Sequence, residues 1–188
     1  MMMHRALLGL VAAACVAAGP ANAAAQKMFG PALEASFGVF AGAGGTFDAR
    51  RGPALDMSVA LPLGRMESGT LVGGVTAGIS GPLSMTDICR VGPNDTCMPD
   101  YPVFFTLGAV AGVQQAIGAG FSARALAGPA YFQGAETKDA FGLQGRLDVA
   151  RPLFFHTAVI ASVRGSLLPR YEGETLSYTA FGLGLRIQ

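Results

Sequence analysis

Charged residues are scarce in this chain, and the two signs are nearly balanced. Among its 188 residues, 13% are charged, about half the usual share, whereas 51% are hydrophobic. Disordered proteins are rich in charge and poor in hydrophobic residues, so this composition excludes disorder. Thirteen basic and 12 acidic residues leave a formal charge of +1. The balance provides no basic field, which excludes nucleic acid as a partner.

Tryptophan is absent, whereas glycine is abundant, with 27 residues. Each glycine weakens a helix interior by about 1 kcal/mol relative to alanine. The sequence therefore does not favour a helix-rich enzyme core. Its length suffices for one domain of ordinary size or for a single closed barrel.

The first 23 residues have the organisation of a signal peptide for export. Residues 1–5 form a short basic segment. Residues 6–18 form an apolar segment that is too short to span a membrane as an uncleaved anchor. Ala21 and Ala23 provide the small side chains that a signal peptidase reads. We predict cleavage after Ala23, which leaves residues 24–188 as one exported domain.

The chain has only three cysteines, and what becomes of each thiol follows from the predicted export. Cys15 lies in the signal peptide, where lipidation is an alternative fate for it. Cys89 and Cys97 stay in the mature chain and bracket a turn-forming segment, so an oxidising compartment favours a disulfide between them. Such a short closed loop contributes about 2–3 kcal/mol. Two sulfurs are too few ligands for a metal site, and we predict no cofactor.

The mature chain alternates with a period of two. In residues 55–61 every odd position is large and apolar, and the even positions are small or polar. Because successive side chains of a strand point to opposite faces, such a segment is predicted to be a strand with one apolar face. The same pattern makes eight segments in all, the others being 33–43, 69–79, 103–113, 118–129, 141–149, 154–167 and 181–187.

Long and short connections alternate between these segments, which places all the long loops at one end of an up-and-down sheet. The long, polar connections are 44–53, 80–102, 131–138 and 168–175, and the short ones lie near 62–67, 115–117 and 151–153. Strands of this length suit a tilted crossing of a bilayer. An even number of strands with an apolar exterior is typical of bacterial outer-membrane barrels. We therefore predict an all-β fold, an eight-stranded antiparallel up-and-down transmembrane β-barrel.

By this pattern, residues 28–188 resemble the small eight-stranded outer-membrane barrels of the OmpA and OmpX type. The resemblance implies a protein of the cell outer membrane that contacts outer-membrane lipid and has a structural or surface-interaction role. A surface ligand would meet the long loops, above all residues 80–102, which the Cys89–Cys97 bridge would hold. Eight strands leave little room for an open pore, and we expect a monomer.

A helical membrane protein is the main structural alternative. Residues 101–123 contain no charge and are long enough for one spanning helix. The same stretch contains Gln114, Gln115 and four glycines. Two strands, joined by a turn that holds the glutamines at the water interface, account for this composition better than one spanning helix does.

Seven charged residues and one histidine share the face that carries most strand glycines, and we predict that this face lines the barrel interior. They are Glu34, Asp56, Arg124, Arg146, Asp148, His156, Arg164 and Arg186. An isolated buried ion is costly, so charges in this position must be paired or wetted. We predict an ion-pair plug that fills the lumen, with selectivity for a conducted ion as the alternative.

Strand order and turn position predict two specific pairs inside the barrel. The first strand must pair with the last, because an open edge in lipid would leave backbone groups unsatisfied. Antiparallel pairing then brings Glu34 beside Arg186. A turn centred on Pro152 would place Asp148 opposite His156.

Two other functional classes compete with a surface or structural barrel. Some small outer-membrane barrels are lipid-A deacylases with a histidine near the outer leaflet, but His156 follows a short turn and is predicted at the opposite rim. We therefore predict no enzyme activity. The other alternative is a soluble periplasmic barrel that binds a lipid or another apolar ligand, which requires apolar residues to face inward.

Overall fold

The computed structural model describes residues 30–42, 51–81, 103–134, 139–154, 156–171 and 174–188. These residues form eight antiparallel strands: β1 (Ala32–Gly42), β2 (Arg51–Met66), β3 (Gly69–Ser80), β4 (Phe104–Gly118), β5 (Phe121–Gly134), β6 (Ala140–Phe154), β7 (Thr157–Tyr171) and β8 (Glu174–Ile187). Each strand pairs with the next along the chain, and β8 pairs with β1, so the sheet closes into a barrel. The predicted all-β, up-and-down architecture is confirmed.

The large apolar side chains lie on the outer face of the barrel. Phe37, Leu107, Phe141 and Leu183 are between 61% and 76% exposed. Their strand neighbours point into the barrel and are mainly small, polar or charged. A continuous apolar exterior of this extent suits lipid rather than water, as in transmembrane barrels. The arrangement is the reverse of the one that a soluble barrel with an apolar ligand inside requires.

The seam between β1 and β8 closes the barrel in the predicted register. Pairing runs from Leu33 opposite Ile187 to Gly42 opposite Tyr178. Within this register Glu34 lies opposite Arg186, and Gly38 lies opposite Gly182. No strand edge is left unpaired among the described residues, which satisfies the main requirement of a sheet in lipid.

The β4–β5 turn excludes the helical alternative and corrects one detail of the strand prediction. The chain reverses at Ala119, whose φ of 49° is left-handed, between Gly118 and Gly120 with φ of 88° and 78°. Glycine adopts such angles without steric cost. Gln114 and Gln115, predicted in the turn, instead lie within β4. Along the described part of the chain, no helix has the length and hydropathy to cross a membrane.

Candidate functional site

Five of the predicted interior residues meet in one buried cluster. Glu34 comes from β1, Arg124 from β5, Arg146 and Asp148 from β6, and Arg186 from β8. Each is at most 6% exposed. Strand parity points all five inward, and closure of the barrel brings β1, β5, β6 and β8 around the same volume. We call these five residues the Glu34 cluster.

Glu34 is shared by three arginines. Its Oε1 accepts a hydrogen bond from Arg186 Nε at 2.6 Å. Its Oε2 accepts from Arg124 Nη2 and lies 3.1 Å from Arg146 Nη2. Ser58 donates its hydroxyl to the same oxygen at 3.0 Å. Through these contacts one carboxylate links β1 to four other strands, β2, β5, β6 and β8.

Asp148 provides the second carboxylate of the cluster. Its Oδ2 accepts from Arg124 Nε at 3.0 Å and from Arg124 Nη2 at 2.6 Å. Its Oδ1 accepts from Arg146 Nε at 2.6 Å. Charge-assisted hydrogen bonds of this kind are stronger than neutral ones. Arg124 and Arg146 are therefore held between two carboxylates, whereas Arg186 pairs, within the described part of the chain, with Glu34 alone.

Asp56 and Arg164 form a separate ion pair toward the other end of the barrel. Gly78 leaves the space for this pair, because a Cβ there would collide with Asp56 Oδ1. The Arg164 guanidinium also lies over the ring of Tyr178, 5.8 Å from its centroid. This cation–π contact connects the ion pair to a layer of aromatic side chains that the sequence pattern did not reveal.

The aromatic layer closes the lumen at the end that carries the long loops. Phe40, Phe104, Phe132 and Tyr178 are each at most 1% exposed, and we call them the aromatic cap. The Phe40 and Tyr178 rings lie 5.0 Å apart between centroids, and those of Phe132 and Tyr178 lie 6.2 Å apart. Each of the four occupies an inward-facing position of its strand, close to the strand end that leads into a long loop. This shared position is the sequence feature that could have revealed the cap.

His156 is placed differently from the prediction. β6 continues through Pro152 to Phe154, and β7 begins at Thr157, so His156 lies exposed in the turn rather than in the lumen. Asp148 accordingly faces Ser162, and the predicted Asp148–His156 pair is wrong. Pro152 can stay within β6 because the register shifts immediately after it, and a bulge tolerates proline.

Within the described ranges, no three His, Cys, Asp or Glu side chains are grouped so that they could hold a metal ion. Cys89 and Cys97 lie outside the described residues, so their disulfide stays a prediction.

The barrel is similar to solved structures of two other proteins. Neisserial surface protein A has a TM-score of 0.61 and 12% sequence identity, over 84% of this chain and 96% of that protein. Two structures of Ail, the attachment invasion locus protein of Yersinia pestis, score 0.45 and 0.42 at 14% and 16% identity, over 84% of this chain and 99% of theirs. One of these has the heparin analogue sucrose octasulfate bound. No protein-family model and no curated protein matches the sequence. The likeness to Neisserial surface protein A shows the fold, that of the small eight-stranded outer-membrane β-barrels.

Proposed function

We propose that this chain is an exported barrel of the bacterial outer membrane with a structural or surface-contact role, and that it neither conducts ions nor catalyses a reaction. Support for the location comes from the apolar exterior and from the signal-peptide pattern of residues 1–23. The name of Neisserial surface protein A, which has the same fold, agrees with a position at the cell surface.

Two layers of buried side chains that cross the lumen are the observation that carries this proposal. The aromatic cap is buried across the end nearest the long loops. Beneath it, the Asp56–Arg164 pair and the Glu34 cluster join opposite walls of the barrel. A channel for hydrated ions needs a continuous aqueous path, and side chains cross this lumen at two levels. The barrel is therefore a rigid support, and the loops are the parts free to contact other molecules.

A conductance measurement tests the closed lumen. Purified protein inserted into a planar lipid bilayer should give no stepwise current, because the cap and the buried ion pairs block the path. A general porin in the same bilayers is the positive control. Insertion should be verified by protease protection in vesicles of the same lipids, so that an absence of current cannot be explained by a failure of the protein to insert. Reproducible unitary steps from the wild-type protein would contradict the proposal.

The loop between β3 and β4 is the part that we propose to face the cell exterior, with the predicted Cys89–Cys97 bridge holding it. A membrane-impermeant maleimide applied to intact cells should not label the wild-type protein, because both thiols are oxidised. Cys89→Ser leaves Cys97 unpaired and should be labelled on intact cells without reductant. Labelling of unreduced wild-type protein would refute the bridge. Labelling of the variant only after cell lysis would refute the surface position.

A further inference from the structure

A groove of about 900 Å³, lined mainly by apolar side chains, crosses the outer wall of the barrel. Two parallel rows of outward-facing residues border it, and within each row the strand register makes every residue the cross-strand partner of the next. The first row includes Gln115, Val149 and Phe37, and the second includes Val113, Leu147 and Val39. The lining residues between the rows, such as Arg124 and Asp148, have inward-pointing side chains, so only their backbone forms the floor of the groove.

The length and slope of the groove match one leaflet of a membrane. It crosses six strands, from β4 through β8 to β1, and neighbouring strands lie about 4.8 Å apart, so the groove is about 24 Å long. The strands of a transmembrane barrel tilt by about 45°, and a row at right angles to them therefore descends about 17 Å through the membrane. The hydrocarbon core is about 30 Å thick, so the groove spans about half of it. An acyl chain of a single leaflet occupies the same depth.

The groove begins at the end of the barrel that carries the short turns. Gln115 in the first row is three residues from the end of β4, and its partner Ala123 is two residues from the start of β5. From there the groove rises towards Phe37, in the middle of β1. In the orientation proposed above, with the long loops outside, this lower end of the groove lies at the periplasmic face of the membrane.

One exposed arginine lies on the outer wall beside the lower end of the groove. Arg151 follows Val149 of the first row by two residues and therefore shares its outward face. Its guanidinium lies over the Phe121 ring, 5.3 Å from the centroid, and this cation–π contact keeps the charge next to the groove. Among the described residues Arg151 forms no ion pair with a carboxylate. Its charge is therefore available to a group outside the chain.

We propose that the groove and Arg151 together bind one anionic phospholipid of the periplasmic leaflet, an inference that rests on the outer-membrane location proposed above. One acyl chain lies between the two rows of side chains, and the headgroup phosphate accepts hydrogen bonds from the Arg151 guanidinium. A guanidinium presents parallel N–H groups that match the oxygens of a phosphate. A lipid of the outer leaflet is disfavoured, because its headgroup would lie at the end of the barrel opposite to Arg151.

Native mass spectrometry of the folded barrel, released from detergent, measures which lipid stays bound. The protein is first mixed with equal amounts of phosphatidylglycerol and phosphatidylcholine that carry the same acyl chains, so that only the headgroup differs. The wild-type protein should retain phosphatidylglycerol about fivefold more than phosphatidylcholine, which is the contribution of one arginine near an anionic surface. Arg151→Gln should retain the two lipids equally. Arg65→Gln, which removes an exposed arginine near the β2–β3 turn, is the matched control and should keep the preference.

Filling the groove tests the acyl-chain part of the site independently of charge. Ala125 lies in the second row between its partners Val113 and Leu147, so Ala125→Phe places a ring in the groove and should lower the retention of both lipids. Ala109→Phe adds the same bulk to an outward position of β4 that does not line the groove, and should leave retention unchanged. Both substitutions are on the outer wall, where a larger apolar side chain does not disturb the lumen.

Equal retention of the two lipids by the wild-type protein would overturn the proposal, as would an unchanged preference in Arg151→Gln or unchanged binding in Ala125→Phe. Preferential retention of lipopolysaccharide from a mixture with phosphatidylglycerol would also overturn it, because that lipid belongs to the outer leaflet. Heat-sensitive migration on an unboiled gel verifies that each variant is folded. Recovery of the protein from cells in the water-soluble fraction would contradict the outer-membrane location itself, whereas loss of lipid preference in a folded, detergent-extracted barrel contradicts this inference alone.

Discussion

Replacing Glu34 by glutamine should destabilise the folded barrel by about 3–5 kcal/mol, because it leaves buried positive charges without their shared partner. Glu34 accepts hydrogen bonds from Arg124 and Arg186 and forms an ion pair with Arg146. Glutamine has nearly the same volume, so the substitution removes charge without creating a cavity. Asp148 still pairs with Arg124 and Arg146 in the variant, but Arg186 loses the one carboxylate that it pairs with among the described residues.

Urea unfolding of the refolded protein in detergent micelles measures this effect. Far-UV circular dichroism is the appropriate probe, because the chain has no tryptophan to report by fluorescence. Glu67→Gln is the matched control, since Glu67 is exposed in the β2–β3 turn, and it should leave the midpoint unchanged. Equal midpoints for the Glu34 variant and the wild-type protein would show that the cluster does not stabilise the barrel.

The double variant Glu34→Gln with Arg186→Gln separates electrostatic coupling from loss of packing. Removing both partners of the seam pair should destabilise less than the sum of the two single substitutions. Contacting residues in one ion-pair network couple by about 0.5–3 kcal/mol in such cycles. A strictly additive result would mean that the two side chains do not interact in the folded protein.

Substituting Gly38 by alanine should prevent the seam from closing in its present register. Gly38 lies opposite Gly182, where β1 and β8 approach closely. A Cβ on Gly38 would collide with the carbonyl oxygen of Phe181 and would lie 2.6 Å from the Cα of Gly182. Both contacts are with backbone, which cannot rotate away as a flexible side chain would. Overpacking typically costs about 1–3 kcal/mol, and we expect this substitution at or above the upper end.

The yield of folded protein measures this effect, as the fraction that migrates in the compact, heat-sensitive form on an unboiled gel. Gly38→Ala should lower that fraction strongly under refolding conditions where the wild-type protein folds. Gly165→Ala is the control, because a Cβ on this β7 glycine meets nothing within 4 Å. Wild-type folding yield and stability in Gly38→Ala would show that β1 and β8 can separate without loss.

Alternation in the amino-acid sequence was sufficient to identify the eight strands and their two faces, but it made several strands too short, among them β2 and β8. The period of two is a local property, because each peptide reverses the direction of the next side chain. It correctly placed Glu34 and Arg186 inside the barrel and most large apolar side chains of the strands outside. The lengths of the connections then determined an up-and-down order with the long loops at one end.

Contacts between particular side chains were decided only by the tertiary structure. They depend on register, and a few residues of uncertainty in a turn move every cross-strand partner. The turn after Pro152 begins later than predicted, which exposes His156 and places Asp148 opposite Ser162. Ring closure likewise brings Arg124 of β5 to Glu34 of β1, although these strands are not neighbours in the sheet. Parity identifies which residues face the lumen, but pairing across it depends on the closed geometry of all eight strands.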